Sequence, residues 1–258
     1  MREQVQAEIT RCLEFLNYVY SIFKFKFELL LSTRPEKFLG EISEWNEAEK
    51  ALKNAINDVG LPFKLNPGDG AFYGPKIDIT LYDALGRKCQ CATIQLDFQL
   101  PQRFGLKYAA SDGTFKTPVI VHRAILGSIE RMIAIIIESF GKKLPFWLTP
   151  RQIAIIPLFV DEYASEIKEI LSDFQVKIFD DKGLTLNKKI RNATVDGFRL
   201  VCIVGQKEKD GREINIRLES GSNCNMKLEE FISFVERVAE SKGDLSECLL
   251  DLKALSLK

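Results

Sequence analysis

The residues best placed to do chemistry in this 258-residue sequence form one decapeptide, His122-Arg123-Ala124-Ile125-Leu126-Gly127-Ser128-Ile129-Glu130-Arg131. A short strand over Pro118 to Val121, a glycine that breaks it and a serine that can cap a helix put Arg131 in the first turn of a helix running through Phe140. Free backbone N–H groups and the helix dipole favour an anion there, and a guanidinium adds a bidentate clamp for phosphate. On residue types alone, an arginine in a first helical turn is more often a solvated surface residue. The residue types also leave His122 readable as a structural hydrogen-bonder. His122 is the only histidine, so a two-Cys/two-His zinc site is impossible. The six cysteines include no C-x-x-C pair. That usage reads as a reducing, intracellular protein with buried thiols. Cys89 and Cys91, on one strand face, read as packing.

The segments that must position these residues follow from hydrophobic period. Residues 4–29 open on helical spacing (Val5, Ile9, Cys12, Leu13, Leu16, Val19, Tyr20). Around Phe23 to Leu29 the period becomes two, as in a half-buried strand. A second amphipathic helix spans 43–58, opened by Ser43. Asn66-Pro67-Gly68-Asp69-Gly70 is a loop. Lys76 to Tyr82 and Cys89 to Phe98 alternate polar and apolar about a turn at Asp83 to Gly86, predicting an antiparallel hairpin. Thr93, Gln95 and Asp97 share one face, and Ala92, Ile94, Leu96 and Phe98 the other. Gln90 has the wrong parity to join Thr93 and Gln95, so sharing their face would need a bulge.

After the stiff link Pro145 to Pro150 the pattern changes. Ile153–Leu158 and Leu200–Val204 are continuous apolar strands. Between them lie a helix over 163–171, a strand over 176–179 and a helix over 186–195. A strand over 214–218 and a helix over 228–238 close the region. That alternation predicts a doubly wound α/β domain. The predicted division is 1–148, 149–240 and a weakly amphipathic tail, 241–258. Length supports two cores. With 46% hydrophobic and 28% charged residues, wholesale disorder is excluded. Lys+Arg and Asp+Glu are each 36, so any polyanion contact must come from a local patch. No apolar run approaches a membrane span, and the start has no signal-peptide pattern.

Longer strings identify a resemblance. His122 to Arg131 is similar to motif 3 of the class II aminoacyl-tRNA synthetases. Ser32 to Lys37, Gly68 to Asp78, Gln90 to Phe98, Val119 to Ser128, Thr185 to Arg191 and Val204 to Glu208 resemble, in order, the threonyl branch of that class, in the wording of the eukaryotic cytosolic enzymes. The fold implied is a partial α+β, antiparallel-sheet class II catalytic core followed by an α/β anticodon-binding domain. The activity implied is ATP-dependent activation of L-threonine and its transfer to tRNA-Thr, in the cytoplasm, with Mg2+ accompanying ATP. The resemblance makes Arg131 and Lys76 catalytic. It puts Gln90, Thr93, Ser128 and Arg131 around ATP, and Tyr73, Gln95, His122 and Ala124 around threonine. It makes His122 one ligand of a zinc that chelates threonine and so rejects valine, which lacks the hydroxyl.

In the second domain the resemblance implies anticodon contacts at Asn187, Lys188, Lys189, Arg191, Glu208 and Arg217. From Lys182 to Arg217 there are nine Lys/Arg and four acids, a local excess of five positive charges. Such a patch attracts phosphate without reading sequence. The family's motifs 1 and 2, its other two zinc ligands and its dimer interface have no counterpart here. The expectation is therefore a piece of a homodimeric synthetase that alone neither catalyses nor holds zinc. An inactive tRNA- or partner-binding derivative, or half of a split enzyme, are the other readings.

Overall fold

The computed structural model describes residues 1–141, 143–217 and 223–242, with 245, 248 and 249 beyond them. Most of the 241–258 tail thus lies outside the described residues. The chain divides into two compact units, Met1–Ser139 and Phe140–Lys258.

In the first unit the order is α1 (Val5–Ile22), β1 (Phe27–Ser32), α2 (Ile42–Val59), β2 (Phe63–Asn66), β3 (Lys76–Tyr82), β4 (Lys88–Asp97), α3 (Gln99–Arg103), β5 (Tyr108–Ala109), β6 (Phe115–Lys116), β7 (Ile120–Ala124) and α4 (Ile129–Phe140). Five strands form one sheet in the order β2-β1-β3-β4-β7. Only the β1–β2 pair is parallel, joined by the α2 crossover. The helical stripe of α1 (Ile9, Leu13, Leu16, Tyr20) and that of α2 (Leu52, Ala55, Ile56) are fully buried. They pack on Leu29, Leu31, Ile77, Ile79, Leu81, Ala92, Ile94 and Leu96, which occupy one sheet face. Period-two alternation therefore turns the polar residues of β1, β3, β4 and β7 to the other face. That face is where the site residues lie.

Three local readings shift. The residue preceding α2 is Glu41, not Ser43. The first strand begins at Phe27, after a turn in which Lys24 has φ 54°. The strand expected at 118–121 is β7, two to three residues later. Cys91 is buried and Cys89 packs against the same core. Burial pushes the Cys91 thiol above its ordinary range.

The second unit runs β8 (Ile153–Pro157), α5 (Asp161–Ile170), β9 (Val176–Ile178), α6 (Leu186–Asp196), β10 (Leu200–Val204), α7 (Gln206–Gly211), β11 (Glu213–Arg217), β12 (Asn223–Lys227) and α8 (Leu228–Ser241). Helices cover both faces, as the strand–helix alternation predicts. Residues of α5 and α8 pack on Ile153, Ile155, Cys202, Val204, Ile214 and Ile216. On the opposite face Ala193 of α6 packs on Ala154, Ile156 and Val201. The sheet, in the order β12-β11-β10-β8-β9, is mixed: β9-β8-β10 is parallel and β10-β11-β12 antiparallel. The α/β architecture is the one expected, with an antiparallel edge added to its parallel part. The polar strand Asn223–Lys227 has too little apolar content to read as a strand by itself, and α7 is too short to show a period.

Candidate active site and nucleic-acid interface

The polar face of the first sheet is built from register. Ser32 pairs with Lys76, Lys76 with Gln95 and Gln95 with His122. One row higher, Asp78 pairs with Thr93 and Thr93 with Ala124. Directly paired residues point the same way, so these rows share a face. Gln90 joins them through a bulge. Ile79 pairs with Ala92, but Thr80 pairs with Gln90, which leaves Cys91 as the extra residue. Strand parity lets Gln90 share the face of Thr93 and Gln95 only with such an irregularity between them, and the extra residue, Cys91, lies there.

Asp78, 3% exposed, is the centre of one half of the site. Its Oδ2 accepts from Ser32 Oγ at 2.9 Å and faces Lys76 Nζ at 2.8 Å. Its Oδ1 accepts from Gln90 Nε2 at 2.8 Å and Thr93 Oγ1 at 3.3 Å. Burial works against the Lys76 charge, but Asp78 and Asp69 outweigh it and hold the ammonium above its ordinary range. Above Gln90 lies the start of α4. Ser128 Oγ accepts the Arg131 N–H at 3.3 Å, so Ser128 caps the helix and Arg131 sits in its first turn. Arg131 Nη1 donates to the Gln90 carbonyl at 2.8 Å, tying the helix to the bulged strand. The turn before the helix demands glycine. Gly127 has φ +66°, and a Cβ there would lie 2.4 Å from the Cys91 carbonyl oxygen. Gln90, Thr93, Ser128 and Arg131 therefore lie toward the α4 end of the face, and Lys76, in the Gln95 row, reaches the same Asp78 carboxylate.

The other half surrounds Gln95. Tyr73 Oη donates to Gln95 Oε1 at 2.9 Å, and the Tyr73 ring meets the His122 ring edge-on at 6.1 Å. The loop holding Tyr73 closes tightly on β4. A Cβ on Gly74 would lie 1.8 Å from the Leu96 carbonyl oxygen. Gln95 is 8% exposed, and its buried Nε2 has no hydrogen-bond partner among the described residues. An unpaired buried donor costs roughly 1–3 kcal/mol, and an acceptor brought by a ligand would recover it. His122 Nε2 lies 2.9 Å from Oδ2 of Asp97, a carboxylate with no solvent exposure. Asp97 Oδ1 accepts the N–H groups of Gln99 and Leu100, both at 2.9 Å. This carboxylate–imidazole pair leaves Nδ1 as the ring's outward nitrogen. A carboxylate behind a histidine suits a metal ligand. A zinc needs three protein ligands or more, and no group of three His, Cys, Asp or Glu converges among the described residues. The residues present do not fit a zinc site.

Sequence reasoning had not assigned Asp78 or Asp97 a role. Alternation marked Asp97 as facing its neighbours Thr93 and Gln95, but nothing local showed that both acids are buried acceptors for the site residues.

In the second unit Asn187, Lys188 and Arg191 are exposed on α6, at spacings of three and four that share a helical side. Arg217 is exposed at the end of β11, paired with Val201 and Asn223. Two residues expected beside them stand differently. Lys189 is only 8% exposed, and with Leu158, Asp161, Asp180 and Lys182 it lines a cavity of about 630 Å³. Glu208 is half-buried, and its Oε2 accepts the Gly205 N–H at 2.9 Å, closing the N-terminal turn of α7.

Two family patterns match. The tRNA synthetase class II core domain (G, H, P, S and T) covers residues 1–140, and the anticodon binding domain covers 152–238. The probable cytoplasmic threonine--tRNA ligase of Encephalitozoon cuniculi is 59% identical over 248 residues, 96% of this chain and 38% of that protein. The human threonine--tRNA ligase 1, cytoplasmic, is 51% identical over 95% of this chain and 35% of its own length. The chain thus spans a little over a third of these curated relatives. Among solved structures, the RNA binding domain of threonyl-tRNA synthetase from Cryptosporidium parvum superposes with a TM-score of 0.85 at 44% identity, over 92% of this chain and 61% of that one. A threonyl-tRNA synthetase structure from Aeropyrum pernix gives 0.72 at 26% identity, over 96% and 64%. With its first unit matched from end to end and the anticodon pattern following in the second, the chain belongs to the class II tRNA synthetase core family of the G, H, P, S and T group.

Proposed function

We propose that this chain contributes the motif 3 half of the active site and the anticodon-binding domain of a cytoplasmic threonine–tRNA ligase. The substrates would be ATP with Mg2+, L-threonine and tRNA-Thr, and the complete enzyme would be a homodimer. The observation that supports this best is the division of one polar sheet face. Arg131, Ser128, Gln90 and Thr93 lie toward the α4 end, with Ala124 beside Thr93, and Tyr73, Gln95 and His122 lie toward the other, with Lys76 in their row and its ammonium on Asp78 between the two groups. The first group suits a nucleotide: Arg131 binds a terminal phosphate at a helix N-terminus, while Lys76, held charged by Asp78 and Asp69, offsets negative charge near the reacting carboxylate. The second group suits a small polar amino acid. Gln95 Nε2 offers its unused N–H to a hydroxyl or carboxylate oxygen, with Tyr73 fixing the amide's orientation. Catalysis on such a face is positioning and electrostatic stabilisation.

The reading is tested by joining this chain to the upstream portion of a threonine–tRNA ligase relative and measuring ATP–pyrophosphate exchange. Exchange should depend on threonine, and Arg131→Ala should slow it by on the order of 10²-fold or more, the usual effect of losing a preorganised charge-stabilising donor. Absence of threonine-dependent exchange would overturn the reading. A rate within about threefold of the parent chimera would remove Arg131 from it.

A further inference from the structure

Between Asp97 and Ile120 the chain leaves the sheet and returns to it, and these two residues are register partners across β4 and β7. The excursion is an arm made of α3 and the two-stranded β5–β6 hairpin. Its base is fixed. Asp97, which holds His122, also accepts the first two N–H groups of α3. Its tip is ordered by Asp112, whose Oδ1 accepts the Thr114 N–H at 3.0 Å and hydroxyl at 2.6 Å, and whose Oδ2 meets Lys116 Nζ at 2.9 Å. Hydrogen bonds from Thr114 and Lys116 hold the Asp112 carboxyl down at about 2. This is a built projection, yet it buries little of its apolar content. Phe104 is 68% exposed, Phe115 74% and Leu106 39%. Phe115 pairs across the hairpin with Ala109, whose methyl cannot cover a phenyl ring. The charge is one-sided: Arg103, Lys107 and Lys116 against the single acid Asp112. Arg103 and Lys107 are exposed and form no ion pair among the described residues.

Exposed rings interleaved with unpaired cations are the composition of a stacking platform for single-stranded nucleic acid. Hydrophobic docking of a protein would not call for that cationic excess. We propose that the arm, residues 98–119, binds unpaired nucleotides of an RNA end as that end enters the site beside His122 and Gln95. Phe104 and Phe115 stack on bases, and Arg103 and Lys107 contact the backbone. The inference rests on the tRNA-ligase reading above, because it needs an RNA whose end must reach this face. Both strands joined by the arm carry that face, and Asp97 at the arm's base touches His122, so the arm borders the site.

The test uses the full chain and a fluorophore-labelled single-stranded RNA of about 12 nucleotides, with the same sequence as a duplex and an anticodon stem-loop as comparisons. Phe115→Trp places a reporter in the arm, and the single strand should quench it more than the duplex does. Phe104→Ala with Phe115→Ala should weaken single-strand binding by at least fivefold, since one stacked base is worth roughly 5- to 150-fold. Arg103→Ala with Lys107→Ala should shallow the salt dependence of single-strand binding. If the anticodon stem-loop binds but the single strand neither quenches the reporter nor responds to the phenylalanine substitutions, the arm proposal fails and the tRNA reading stands. If no RNA binds, both fail. If the phenylalanine substitutions change the sedimenting mass of the chain and leave RNA binding unaltered, the arm is a protein contact and the proposal is overturned.

Discussion

Asp97 serves three partners from a position with no solvent exposure. One oxygen accepts two backbone N–H groups, and the other faces His122 Nε2. Amide donors cannot be satisfied by another donor, so Asp97→Asn must keep its oxygen toward Gln99 and Leu100. Its new NH2 group then faces the imidazole. His122 Nε2 must become an acceptor, and the ring proton must move to Nδ1. Because the chain has one histidine, 15N spectra of the neutral imidazole report this directly. The expected result is an Nε2–H tautomer in the parent and Nδ1–H in Asp97→Asn. The same tautomer in both would show that Asp97 does not orient the ring. Such orientation matters because it decides which ring nitrogen carries the free lone pair beside Tyr73 and Gln95.

At the scale of elements, the site depends on how α4 begins. Gly127 supplies the positive φ and the close approach to Cys91, and Ser128 supplies the cap. Ser128→Ala should lower the unfolding free energy of the first unit by about 1 kcal/mol, within the ~0.5–2 kcal/mol typical of a lost N-cap. Ser128→Asp should retain most of it, because a carboxylate caps equally well and favours the helix N-terminus. Urea unfolding monitored by circular dichroism measures both. Equal stabilities for parent and alanine variant would mean that the tie from Arg131 to the Gln90 carbonyl alone anchors the helix start. Helix α4 and the β3–β4 hairpin were legible in the sequence, since caps, turns and periodicity are local. Strands β2 and β12 were not. Each is short: β2 is specified by β1, far back across α2, and β12 by the antiparallel edge of the neighbouring β11, rather than by its own pattern.

For the whole molecule, the separate cores imply that the second unit stands by itself. Residues 140–258 made alone should unfold cooperatively and bind a tRNA-Thr transcript with strongly salt-dependent affinity. Burial then separates two neighbouring lysines. Lys188→Ala, at an exposed position, should reduce the magnitude of the salt slope by roughly one and leave stability within about 0.5 kcal/mol. Lys189→Ala should lower stability by more than Lys188→Ala, because its buried stem packs in the unit and lines the cavity. Salt titrations and thermal melts of the two variants decide the matter. Identical behaviour in both measurements would show that the difference in burial has no energetic consequence.

Sequence alone determined what backbone geometry makes local. Alternation put Thr93, Gln95 and Asp97 on one strand face, a glycine and a serine put Arg131 in a first helical turn, and parity required a bulge before Gln90 could share the site. Long ordered strings supplied the resemblance, because their order and spacing are far more specific than any single motif. Tertiary structure decided the rest. Asp78 became the shared acceptor of Ser32, Lys76, Gln90 and Thr93 only when three strands came into register. Asp97 met His122 across 25 residues of chain. Lys189 turned inward with Ala193 while Lys188 faced solvent, since the sheet beneath α6 selects which side of the helix is covered. Residue type predicts that a lysine prefers water. Its actual environment is set by contacts between segments far apart in the chain, and no local pattern encodes those.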